Sequence, residues 1–74
     1  MVRSYFEDAA AFEPEAIAAM SRAFEEACTM LQVIHGDRRG REIIATRIID
    51  LAREGPIDAV ALRDRVLLEA RAAA

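Results

Sequence analysis

The chain has no lysine, no tryptophan and no asparagine, one histidine and one cysteine, and only two prolines and three glycines among 74 residues. Each scarcity excludes something. One cysteine cannot close a disulfide within the chain, and its solitude fits a reducing compartment. A lone cysteine and a lone histidine offer no cluster for a structural zinc site, so no metal or other cofactor is expected. All ten cations are arginine, which together with abundant alanine reads as the base composition of the source genome. The net charge of −3 argues against a general nucleic-acid-binding protein, which carries a basic excess. No apolar run reaches the ~18–20 residues of a membrane span. The opening MVRSYFEDAAAFEPE places acids where a signal peptide needs a long apolar stretch. A cytoplasmic protein is expected.

Length adds a further constraint. A chain this short makes one domain, 1–74, and buries only ~60% of the surface that its unfolded form exposes. Such scaffolds need a staple, which is a disulfide, a metal or a partner. With the first two set aside, oligomerisation is the expected one.

What the sequence does have is apolar residues at helical spacing, over half of its composition. The expected fold is all-α, a three-helix bundle with helices at about 14–35, 38–54 and 59–72 and a short N-terminal helical arm. The first helix should begin at Pro14, since proline suits the first helical position. Phe12 and Ile17 have the spacing of a hydrophobic staple around Glu13, a mediocre cap. From Ala16 to Ile34 the apolar residues share about half the circumference of this helix, with Val33 on the polar side. Gly36 is then expected to take the left-handed conformation after the helix end. Asp37 should cap the second helix, so that a tight two-residue corner joins the pair. In the second helix Ile44, Ala45, Ile48, Ile49, Leu51 and Ala52 form the buried stripe, and Ile43 falls outside it. "REGPID" is the clearest local signal. Gly55 and Pro56 stop one helix, Asp58 caps the next, and Ile57 and Leu62 are spaced as a staple. The apolar positions of the third helix are Ala59, Val60, Leu62, Val66, Leu67 and Ala70, with Arg63 among them and Leu68 pointing away.

Apolar residues on more than one side of a helix imply an enclosure or a partner. Val33, Ile43 and Leu68 therefore suggest a second surface, most simply a homodimer seam. Before the first helix, Ser4 and Glu7 have capping-box spacing, which would start a short helix at Tyr5. Tyr5, Phe6 and Phe12 are three of the four aromatics, too many for a solvated tail. This arm is expected to dock on the bundle or on a neighbouring copy.

Candidate chemistry is sparse. Cys28 and His35 share one helix face two turns apart, ~10 Å along the axis, too far for direct contact. Cys28 reads as a small buried hydrophobe. His35 suits a helix C-terminus, where a protonated imidazole meets the dipole. Arg38, Arg39 and Arg41 open the second helix and could hold a phosphate or carboxylate beside free N–H groups. "GDRRGR" lacks the lysine–hydroxyl pair and the preceding strand of a phosphate-binding loop. Partial neutralisation by Asp37 and Glu42 is the plainer reading. Arg63, in an apolar sector, is either snorkelling or salt-bridged within the fold, or it meets a partner. Helices two and three could be read as a helix-turn-helix with Arg63, Arg65 and Arg71 facing DNA. The interleaved Asp64 and Glu69 make that face look solvated instead.

"FEPEAIAAMSRAFEEAC" and "RIIDLAREGPIDAVALRDRVL" resemble a set of short uncharacterised helical proteins frequent in alphaproteobacteria such as rhizobia. Most of the chain takes part, with Arg47 to Arg53, Gly55, Asp58 and Leu62 to Asp64 as the most specific positions. The resemblance implies a source and a size class, and it carries no activity or catalytic residue across. The expected function is a small non-enzymatic interaction or regulatory module, homodimeric, with Tyr5, Phe6, Phe12, Arg63 and Leu68 as candidate partner contacts. The alternatives are an anion- or nucleic-acid-contacting regulator built on Arg38, Arg39 and Arg41, and an enzyme or metal protein centred on Cys28 and His35.

Overall fold

The computed structural model describes residues 12–33 and 36–73, and these form three helices: α1, Pro14–Met30; α2, Arg38–Glu54; and α3, Ala59–Ala73. Each packs against the other two, which makes the expected three-helix bundle. The core is drawn from one stripe of each helix. Met20, Ala23, Phe24, Ala27 and Cys28 come from α1, Ile44, Ala45, Ile48 and Ala52 from α2, and Leu62 and Val66 from α3. Phe24, Met20 and Ile48 are the largest side chains withdrawn completely from water. Full burial of side chains of this size stabilises by roughly 1.5–3 kcal/mol each before entropy is counted. The alanines between them let the backbones approach. The N-terminal helical arm, with Tyr5 and Phe6, lies outside the described residues.

α1 is shorter than its apolar periodicity suggests. It stops at Met30, short of the expected end at residue 35, while α2 begins at Arg38 as expected. The stop is a Schellman motif. The Gln32 N–H donates to the carbonyl of Thr29 at 3.1 Å, and the Val33 N–H reaches back to the carbonyl of Cys28 at 2.8 Å. The left-handed position of this motif is Gln32, at φ 59°. Gly36 was the expected left-handed residue, yet neither it nor any other described glycine has positive φ. The turn occurs earlier because it carries Val33 back against the core. That contact also explains why Val33 fell on the polar side of an imagined longer helix: it is no longer helical. Met30, counted on the apolar stripe, is half exposed at the helix end.

The other boundaries follow local rules. Phe12 and Ile17, on either side of the α1 start, both pack against the core as a staple should. Glu13 makes no side-chain cap. Asp37 caps α2 by accepting from the Gly40 N–H at 2.9 Å. A Cβ on Gly40 would stand 2.6 Å from the Asp37 carboxylate, so the bare glycine is what admits this close approach. At the second corner Gly55 is extended at φ −157°, and Asp58 accepts from the Ala61 N–H at 2.9 Å. Ile57 and Leu62 both join the core around that cap.

Candidate interaction surface

The charged side chains do a structural task that residue spacing alone does not disclose. Each pair of helices is joined by one arginine–glutamate bridge. Between α1 and α2, Arg41 Nη2 donates to Glu25 Oε1 at 3.0 Å. Between α1 and α3, Arg63 Nη1 donates to Glu26 Oε1 at 2.8 Å. Between α2 and α3, Arg47 grips Glu69 with two parallel bonds, the Nη2–Oε2 contact measuring 2.9 Å. This fork geometry matches a guanidinium to a carboxylate.

Two of these bridges are parts of larger clusters. Glu26 also accepts from Arg22 at 3.1 Å, and Arg63 also donates to Asp64. The Arg22 bond first, then that of Arg63, holds the Glu26 carboxyl below its ordinary range. Asp64 first, then Glu26, makes the Arg63 guanidinium harder still to deprotonate. Glu69 takes a further bond from Arg65 at 3.1 Å. Arg47 above all lowers the Glu69 carboxyl to about 2.

Arg41 is of a different kind. It is only 6% exposed and is the one charged residue in the core stripe among the described residues. Its guanidinium carbon lies 4.9 Å from the Phe24 ring centre, a cation–π contact, while its tip reaches Glu25 at the surface. Arg41 therefore is not part of an open basic cluster with Arg38 and Arg39, which are exposed on the first turn of α2. A signal for this was present in the sequence. Position 41 lies three and seven residues before Ile44 and Ile48, which puts it on the apolar stripe.

The remaining candidates separate as follows. Phe12 packs on its own bundle. Arg63 is tied to α1 within the chain, the structural reading of its apolar position. Leu68 points into solvent at 62% exposure, and Ile43 does the same at 61%. Cys28 is buried, and that burial pushes its thiol up, away from the reactive thiolate. His35 lies outside the described residues. No group of three or more metal-ligating side chains gathers among the described residues. No helix among them is long and apolar enough to cross a membrane.

Four large apolar side chains are thus left at the surface: Met30, Ile43, Val60 and Leu68. Each lies one helical turn from a bridging charge. Met30 follows Glu26 by four residues, Val60 precedes Arg63 by three, Ile43 precedes Arg47 by four, and Leu68 follows Arg65 by three. An open groove along α2 and α3 has Ile44 and Val66 among its buried lining and Arg39, Ile43, Asp50 and Glu69 among its charged and apolar margins. No protein-family model, curated protein or solved structure matches the chain.

Proposed function

We propose that this chain is a small non-enzymatic interaction or regulatory module that works as a homodimer in the cytoplasm. The observation that carries this reading is a division of labour among the side chains. The arginines and glutamates best placed for chemistry are spent on one another in bridges that hold the helices together. Large apolar groups are turned outward as well: Ile43, Leu68, Met30 and Val60. A bundle at the lower size limit that leaves large apolar side chains in water gains stability by covering them. Tyr5 and Phe6 would add to the covered surface.

Light scattering on the full chain over a dilution series tests the reading. The mass should fall from dimer towards monomer as the protein is diluted. A constant monomer mass up to the highest soluble concentration would overturn it. The anion-contacting alternative retains Arg38 and Arg39, whereas Arg41 is committed to Glu25 and Phe24. Amide shifts at the start of α2 on adding inorganic phosphate would favour that alternative.

A further inference from the structure

We infer that the self-association face is the outer side of α2, and that two copies meet there antiparallel about a two-fold axis. This inference rests on the homodimer reading and adds the surface to it. Arg39, Ile43, Thr46 and Asp50 follow one another at spacings of four, three and four residues. That is the spacing of a helix–helix seam, and it places them in one line along the helix. The line faces away from the core stripe. Arg39, Ile43 and Thr46 are exposed and Asp50 is half exposed. Arg39 enters none of the ion pairs among the described residues, and Asp50 has only a long 3.9 Å contact with Arg47.

The order of chemistry along this line selects the occupant. One end is basic, the middle is uncharged and the other end is acidic. A parallel copy would set Arg39 against Arg39 and Asp50 against Asp50. An antiparallel copy sets Arg39 level with the partner's Asp50. The same register sets Ile43 level with the partner's Thr46, because both pairs are centred between Ile44 and Ala45. The two Ile43 side chains then lie about 4.5 Å apart along the axis, near enough to cover each other. A two-fold contact repeats every pairing, so the seam holds two Arg39–Asp50 pairs and a shared apolar centre. A strip that is complementary to itself under a two-fold rotation fits a second copy of this chain better than an unrelated partner. One helix face per copy lies at the small end of specific interfaces, below about 1,200 Å² in total, so the dimer should be weak and reversible.

Charge exchange tests the seam by sedimentation on the full chain, with circular dichroism to confirm that each variant is folded. Arg39→Asp alone and Asp50→Arg alone each face like charges across the axis twice. Each should weaken association by about tenfold or more. The double variant Arg39→Asp/Asp50→Arg restores opposite charges and should recover to within about threefold of the original chain. Glu15→Arg, an exposed charge reversal on α1 and outside the seam, should leave association unchanged. If the parent chain dimerises and the single reversals match it, the seam is wrong while the homodimer reading stands. Loss of association in Leu68→Glu with none in the α2 variants would likewise move the interface to α3. A parent chain that is monomeric throughout removes both.

Discussion

The two junctions of the bundle are held by opposite means. Where α1 meets α2, the chain bends through a strained residue and the arginine of the bridge is buried. Gln32 takes a left-handed conformation, and the Arg41 guanidinium lies over the Phe24 ring. Where α2 meets α3, the corner follows local chain rules and the bridge lies at the surface. Gly55, Pro56 and the Asp58 cap make the bend, and the Arg47–Glu69 fork stays open to water on both partners. The first junction rests on packing and should respond little to modest changes in salt and pH. The second owes more to charge and should respond to both. Similar residue types thus do different work according to how much water surrounds them.

The largest effect expected from this contrast is at Arg41. Arg41→Ala removes a buried stem, a cation–π contact and an ion pair together. It should cost about 2–3 kcal/mol in denaturant unfolding. Arg41→Met keeps most of the stem and discards the charge. Its cost should stay under about 1 kcal/mol, because Glu25 is half exposed and does not become a buried unpaired charge. If methionine is as damaging as alanine, the junction is held by charge after all and the contrast between the two corners collapses.

A smaller effect, of opposite sign, is expected at the bend itself. Gln32→Gly places at the left-handed position the residue that meets no Cβ penalty there. It should stabilise the chain by about 1 kcal/mol, with both turn hydrogen bonds retained. The same exchange at an ordinary helical site would destabilise by a similar amount, so the sign of the change in melting temperature is the readout. A loss of stability would mean that Gln32 is not left-handed in solution.

The difference between the junctions also explains which of them was legible in the sequence. The α2–α3 corner is written in residues that act on their own neighbours. Proline removes a donor, aspartate reaches three residues on, and Ile57 and Leu62 clasp across the cap. Such rules need no knowledge of the rest of the fold. The end of α1 is decided by a distant gain, the return of Val33 to the core, and that outweighs both the helical periodicity through Ile34 and the cost of a left-handed glutamine. The partners of the three bridging arginines were hidden for the same reason. Glu25 and Glu26 read as one polar face, and only the packed helices show that the first turns to α2 and the second to α3. Arg41 was readable in part, since its position on the stripe was there to be counted. Grouping it with Arg38 and Arg39 as one basic cluster obscured that position. Ile43 and Leu68 lie outside the buried stripes as their helical angle predicts, whereas Met30 and Val60, apolar by the same count, are half exposed at helix ends.

The smallest expected effect belongs to the surface fork, and it concerns the shape of a pH curve more than its height. The Arg47 bonds, helped by Arg65, lower the folded Glu69 carboxyl to about 2 from its ordinary value of 4.5 in the unfolded chain. A carboxyl lowered on folding contributes stability that is fully present above the unfolded value. The contribution fades as pH falls from there towards 2, since the unfolded state then takes up the proton first. Glu69→Gln deletes this term. The variant and the parent should therefore differ most at neutral pH and converge as the solution approaches pH 2. Solvent screens an exposed bridge, so the gap at neutral pH should be smaller than either change described above, and added salt should narrow it further. The same treatment should leave the cost of Arg41→Ala nearly unmoved, because the buried stem and ring contact that dominate it carry no titrating proton. Parallel pH and salt curves for the two junctions would show that burial does not separate them.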